Sequence, residues 1–148
     1  MSNNLEIRRT IHIHASKAAV WDALTKPELT KQYFFNCELL TDFKIGSPVV
    51  FTETKEGDKI DHVKGKMLAI TPGTMLKFSV WSKESGLPDE DENHLHVTFS
   101  LAEDGEQTTL TVVQNHYCDG DKRFNNTDHG WDYVLNGLQQ LLEKQSNA

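Results

Sequence analysis

The sequence predicts an α+β fold in which a curved antiparallel sheet of six or seven strands wraps around one long C-terminal helix. Two observations predict this fold. Between residues 36 and 114, short stretches of alternating apolar and polar residues are separated by turn signals, which is typical of hairpin-linked strands. From Trp131 to Leu142, apolar residues recur at helical spacing, and their stripe is large enough to cover one face of the sheet. The predicted order of elements is β-α-α-β-β-β-β-β-β-α.

The N-terminal part predicts one strand and two short helices. Apolar residues from Leu5 to Ile13 alternate with polar ones, and this period of two indicates a half-buried strand. Ser16 can cap a helix, so we expect one over Lys17–Thr25. Pro27 cannot continue that helix but suits the first turn of another, which predicts a second short helix reaching about Tyr33.

Six strands are predicted in the middle of the chain. Turn signals such as Glu56-Gly57-Asp58 separate them and favour hairpin connections. The predicted strands are Glu38–Phe43, Val49–Thr54, Ile60–Ile70, Met75–Trp81, Leu95–Leu101 and Thr108–Gln114.

The last predicted element is the long amphipathic helix. Asn126, Thr127 or Asp128 can cap it. Gly137 lies in its middle, where glycine costs about 1 kcal/mol relative to alanine. A glycine at such a position allows close approach to another backbone or to a ligand.

Length and charge limit the function classes. The 148 residues predict a single domain, residues 1–148, with an ordered core from about 5 to 143. The formal net charge of −7 argues against nucleic acid and against an anionic membrane surface as partners. The sequence has no run of 18 apolar residues and no signal-peptide pattern at its start, so we expect a cytoplasmic protein with Cys37 and Cys118 reduced.

Four stretches carry a resemblance to a known family: Ala15–Leu29 with its Val-Trp and Thr-Lys-Pro-Glu, Asp42–Gly46, Lys64–Pro72 followed by Leu76–Trp81, and His129-Gly130-Trp131 with Leu135 and Leu138. From Leu5 to Glu143 the chain resembles the helix-grip (SRPBCC) superfamily of START, birch-pollen-allergen and polyketide-cyclase domains. More narrowly, it is similar to bacterial relatives of the C-terminal domain of the activator of heat-shock-chaperone ATPase (AHSA-type). It departs from the family at Ser47, where a second glycine is common, and at Tyr33, where a tryptophan is common.

The resemblance implies a cavity between the sheet and the last helix, and strand parity names candidate lining residues. Aromatic and apolar side chains are expected there, together with one carboxylate, Glu53, that shares the parity of Val49 and Phe51. The predicted lining residues are Trp21, Phe51, Glu53, Met67, Phe78, Phe99, Leu110, Tyr117, Trp131, Val134, Leu135 and Leu138.

Seven histidines raise the question of a metal site. His12 and His14 share one face of a strand, as do His94 and His96. Both pairs alternate with apolar residues, so we expect them to face solvent. In the strand order that the resemblance implies, one strand separates the pairs by roughly 10 Å, which is too far for one tetrahedral site. We predict no metal and no cofactor.

Catalytic candidates are few. His116 and Cys118 at the end of the last strand and His129 before the last helix permit a Cys–His pair, but no third group is placed to orient it. We predict no catalytic residues. If the protein were an enzyme of the cyclase or aromatase type, Glu53, Tyr117 and His116 would be its candidate polar groups.

Three functions are compatible with the sequence. The first is a small soluble binding module that holds a hydrophobic or amphipathic small molecule in the cavity. The second is a co-chaperone-like interaction protein with a chaperone as partner. The third is an enzyme of the cyclase or aromatase type that uses the same cavity. The ligand and the oligomeric state are left open.

Overall fold

The computed structural model describes residues 6–117 and 123–146. Seven strands form one antiparallel sheet in the order β1-β7-β6-β5-β4-β3-β2, and the fold predicted from the sequence is confirmed. The strands are β1 (Ile7–Ile13), β2 (Cys37–Thr41), β3 (Pro48–Lys55), β4 (Asp58–Thr71), β5 (Met75–Val80), β6 (Leu95–Asp104) and β7 (Gln107–Asn115). The helices are α1 (Lys17–Thr25), α2 (Pro27–Thr30) and α3 (Arg123–Ser146), with single 3₁₀ turns at Lys83–Ser85 and Asp91–Asn93.

The inner face of the sheet follows the parity expected of half-buried strands. On β7 the buried residues are Thr108, Leu110, Val112 and Gln114, and the residues between them are partly exposed. β1 adds to the sheet beside β7, with Ile7 opposite Gln114 and Ile13 opposite Thr108. The core therefore lies on one side of the sheet.

The two short helices are fixed by local hydrogen bonds. Ser16 caps α1 as predicted, because its Oγ accepts from the Ala19 backbone N–H at 3.1 Å. The helix α2 is shorter than predicted and ends at Thr30. Tyr33, in the turn that follows, is buried and donates its hydroxyl to the Ala23 carbonyl at 2.6 Å.

The long helix α3 begins at Arg123, earlier than predicted. Asn126, Thr127 and Asp128 therefore lie inside the helix, so the prediction that one of them caps it is wrong. Gly137 lies against Tyr33, and a Cβ at that position would be 3.2 Å from the Tyr33 Cβ. The close approach expected of this glycine is thus to the turn after α2.

Strand β4 comes unusually close to β5 at Gly65. A Cβ there would lie 1.8 Å from the Ser79 carbonyl oxygen, so only glycine fits. The next backbone N–H, that of Lys66, donates to Ser79 Oγ at 3.0 Å. Lys64 and Trp81 then exchange two backbone hydrogen bonds, at 2.9 and 2.7 Å.

Within the part of the chain that the structure describes, no helix is both long enough and apolar enough to span a membrane.

Candidate ligand-binding cavity

A cavity of about 210 Å³ lies between the inner face of the sheet and α3. Strands β3 to β7, the turn after α2 and the middle of α3 all contribute to its wall. The lining residues are Phe34, Phe35, Phe51, Val63, Phe78, Val80, Val97, Gln114, Gly130, Trp131 and Val134. None of these side chains titrates, so the described part of the wall offers no general acid or base.

Five aromatic side chains form a closed circuit of ring contacts beside this space, and all of them except Phe99 line it. Phe34 stacks on Phe51 with ring centroids 4.7 Å apart, and Phe51 contacts Phe78 at 5.8 Å. Phe78 contacts Phe99 at 5.9 Å, and Trp131 closes the circuit by edge contacts with Phe99 and Phe34 at 5.9 and 6.1 Å. These separations are typical of favourable aromatic pairs, so the wall is both apolar and well defined.

One polar side chain interrupts the apolar wall. Gln114 is 4% exposed and extends inward from β7, where parity otherwise places apolar residues. Its Oε1 accepts a hydrogen bond from the Trp131 Nε1–H of α3. This bond joins β7 to α3 in the wall of the cavity.

The turn after α2 provides an exposed edge of the wall. Phe35 lines the cavity but is 51% exposed, and its ring stacks on Tyr133 of α3. Phe35 and Asn36 have backbone φ angles of 52° and 62°, which are uncommon for residues other than glycine. Two successive left-handed residues thus place the Phe35 ring at the exposed edge of the wall.

The structure brings four of the twelve predicted lining residues to this cavity: Phe51, Phe78, Trp131 and Val134. Five others are buried in the core without lining it: Met67, Phe99, Leu110, Leu135 and Leu138. The sequence correctly predicted that these side chains are buried, but they pack against neighbouring side chains instead of lining the cavity. The role of all twelve as ligand contacts stays a prediction.

The remaining three predicted residues lie outside the wall. Trp21 is half-buried and packs on the core from α1, and Tyr117 is buried just after β7. Glu53 lies 2.8 Å from His62 Nε2 at the far end of β3. Glu53 lies directly opposite the buried Cys37 of β2 with no shift of register, so it shares the sheet face of Phe51. Glu53 nevertheless does not line the cavity, so the expectation that it does is corrected.

Seven lining residues were missed by the sequence reasoning. Val63 and Val97 share the parity of the predicted Met67 and Phe99, so the alternation could have identified them. Gln114 was also detectable, as a polar residue at a buried position. Phe34 and Phe35 lie in an aperiodic turn that gives no such signal; the others missed are Val80 and Gly130.

The two histidine pairs differ in burial. His12 and His14 are exposed, as expected. His94 is buried, so the expectation that its pair faces solvent is wrong for that residue. Its Nε2 lies 2.7 Å from Oδ1 of Asp89, a residue of the segment between β5 and β6. Among the described residues, no group of three or more His, Cys, Asp or Glu side chains could hold a metal ion.

Ser79, His94 and Asp89 form a hydrogen-bonded chain that superficially resembles a nucleophilic triad. His94 Nδ1 lies 3.3 Å from Ser79 Oγ. Ser79 is only 2% exposed, however, and its Oγ already accepts the Lys66 backbone N–H. These hydrogen bonds therefore hold the segment that contains Asp89 against the sheet. The buried Ser79 hydroxyl is not available to attack a substrate.

The proposed Cys–His pair falls largely outside the described residues. Cys118 and the side chain of His129 are not among them. His116 is described, and its ring stacks on His96 with centroids 4.1 Å apart. Cys37 is a buried free thiol, and burial, followed by the charge of Glu53, raises its pKa to about 11.

Comparison with known families gives a match over most of the chain. A family model described as activator of Hsp90 ATPase homolog 1-like protein matches residues 14–143. The chain belongs to this family. The resemblance inferred from the sequence is thereby confirmed. A comparison with curated proteins by sequence gives no match.

Solved structures of similar fold come from several organisms. The solution structure of a Cytophaga hutchinsonii protein has 28% identity and a TM-score of 0.78, with all of both chains covered. The Aha1 dimer from Colwellia psychrerythraea has 18% identity and a TM-score of 0.72, covering 93% of this chain and 96% of the other. An HSP90 activator from Plasmodium falciparum has 14% identity and a TM-score of 0.73, covering 94% and 96%. The last two establish similarity of fold alone.

Proposed function

We propose that this member of the family binds an apolar small molecule in the cavity between the sheet and α3. The observation that carries the proposal is the composition of the wall, in which ten apolar or glycine residues surround a single amide. Transfer of apolar surface from water into such a space is favourable by about 25 cal/mol per Å².

The size of the cavity limits the ligand. An engineered apolar cavity of about 150 Å³ stays dry and takes up benzene. A space of about 210 Å³ therefore suits a compact molecule of one or two fused rings rather than a long acyl chain. The aromatic circuit favours a flat ligand, because ring faces and edges can both contact it.

Binding of 2-ethylnaphthalene, followed by methyl NMR, tests the proposal. We expect a saturable 1:1 titration in which the methyl groups of Val63, Val80, Val97 and Val134 show the largest shifts. Absence of saturable shifts at these valines would contradict the proposal.

A matched pair of variants shows whether the cavity is responsible. Val97→Phe fills the cavity from β6 and should abolish the titration. Val113→Phe makes the same change on β7, at a position of opposite parity to the buried Gln114, and should leave it intact. Equal loss of binding in both variants, with both folded, would place the site elsewhere.

The family match favours a second candidate function, that of a partner of an ATP-hydrolysing chaperone. Stimulation of the ATPase rate of the Hsp90 chaperone from the same organism tests it. A rate that is unchanged at saturating protein would remove this candidate, and the Val97→Phe variant would show whether stimulation depends on the cavity.

A further inference from the structure

Among the described residues that line the cavity, Gln114 is the one with an amide side chain. It is 4% exposed, and buried amides normally satisfy both their oxygen and their nitrogen. The orientation of this amide therefore indicates what chemistry the cavity presents to a ligand.

Trp131 determines that orientation. The indole Nε1–H can only donate, so the Gln114 atom facing it must be the amide oxygen. The two N–H donors of Gln114 Nε2 consequently point away from the indole. The oxygen is occupied by a bond within the protein, and the nitrogen is left for another partner.

That nitrogen has no partner in the described part of the chain, where the bond to Trp131 is the one interaction of the Gln114 side chain. Among the same residues, no fully buried side-chain nitrogen or oxygen lacks a hydrogen bond. The Gln114 nitrogen must therefore retain accessible surface, and the cavity is the space that Gln114 lines. An unused donor thus faces an otherwise apolar space.

We propose that the ligand is an aromatic carbonyl compound whose oxygen accepts a hydrogen bond from Gln114 Nε2 while its ring occupies the aromatic circuit. This inference rests on the proposed function and adds a chemical class to it. An aromatic hydrocarbon of the same shape leaves the amide donor unpaired when it displaces water, and a ketone does not. One net hydrogen bond corresponds to a preference of roughly tenfold.

A pair of probes of nearly equal shape tests the assignment. 2-Acetylnaphthalene and 2-ethylnaphthalene differ mainly in the carbonyl oxygen. We expect the wild-type protein to bind the ketone roughly tenfold more tightly, with the Gln114 side-chain amide protons shifting on titration.

Variants separate the hydrogen bond from general packing. Gln114→Met removes the donor at similar volume and should equalise the two affinities. Because it also leaves the indole N–H unpaired, the double variant Gln114→Met/Trp131→Phe, which removes both partners, provides a second folded test. Gln107→Met, at the start of the same strand and outside the wall, should keep the preference for the ketone.

The outcomes distinguish the two levels of the proposal. A preference for the ketone that is lost in both Gln114 variants supports the assignment. Equal binding of both probes by the wild-type protein overturns it and leaves the proposed function standing. Binding of neither probe overturns both.

Discussion

The ring of Phe35 stacks on the ring of Tyr133 with centroids 5.2 Å apart and an angle of 19° between the planes. Both residues are more than half exposed, yet Phe35 also lines the cavity. The stack therefore covers an edge of the cavity at the surface, and it joins the turn after α2 to the long helix.

Removing this cover should speed ligand exchange. In Tyr133→Ala, Phe35 loses its stacking partner, and we expect the dissociation rate of 2-ethylnaphthalene to rise several-fold. NMR line shapes at half saturation measure this rate. Tyr133→Phe keeps the stack and serves as the control. Identical rates in the alanine and phenylalanine variants would show that the stack does not limit exchange.

Substitution by alanine should change the free energy of unfolding in opposite directions at two glycines. Gly65→Ala forces a methyl group against the Ser79 carbonyl, and we expect a loss of about 3 kcal/mol in the free energy of unfolding. Gly130→Ala adds a methyl group with no atom within 4 Å, in a helix, and should stabilise by about 1 kcal/mol. Urea unfolding of both variants measures the difference. A Gly65→Ala variant as stable as the wild type would contradict the close approach of β4 and β5.

The stacked histidines predict a pH-dependent stability. Burial, followed by the charge of His116, lowers the pKa of His96 to about 4. In the unfolded chain the value is near 6.5, so the unfolded state binds a proton first as the pH falls. The free energy of unfolding should therefore decrease as the pH falls from about 6.5 to about 4. Above pH 6.5, His96 is neutral in both states, and its titration does not destabilise the fold.

Melting temperatures measured from pH 7.5 to pH 4.5 test this prediction. His96→Gln should flatten the decrease, and His14→Gln, an exposed position beyond β1, should not. If His96→Gln follows the wild-type curve throughout, the titration of His96 does not control the decrease.

Cys37 should be unreactive in the folded protein. Its thiol is 4% exposed, and a pKa of about 11 leaves almost no thiolate at pH 7.5. In a Cys118→Ser background, we expect iodoacetamide to modify Cys37 only after unfolding, as measured by intact mass. Rapid modification of the native protein would show that β2 opens at the sheet edge.

Much of the fold could be read from the sequence because alternation is a strong signal. The parity of Phe51, Phe78 and Phe99 was correct since each lies in a regular strand with one buried face. Glu53 shows the limit of that reasoning. Its parity is that of Phe51, yet it does not line the cavity. A bulge in the neighbouring strand β4 leaves His62 as an extra residue beside Glu53, and alternation in β3 does not reveal this.

The cavity was harder to predict than the core. Burial follows from periodicity, but whether a buried residue meets a neighbour or an empty space depends on three-dimensional packing. Leu135 and Leu138 share the helix face of Trp131 and Val134, and only the latter two reach the cavity. Phe34 and Phe35 reach it from a turn whose left-handed backbone at Phe35 no sequence period encodes.

The pairing of β1 with β7 has a consequence for the order in which the molecule assembles. Ile7 pairs with Gln114, so this edge of the sheet closes only after more than a hundred intervening residues have been brought together. The hairpins from β2 to β7 join near neighbours and can form earlier, whereas the long closure is slow. Trp131 and Val134 come later still along the chain. On the ribosome, the cavity therefore cannot exist until α3 has emerged, and a ligand can bind there only after that point.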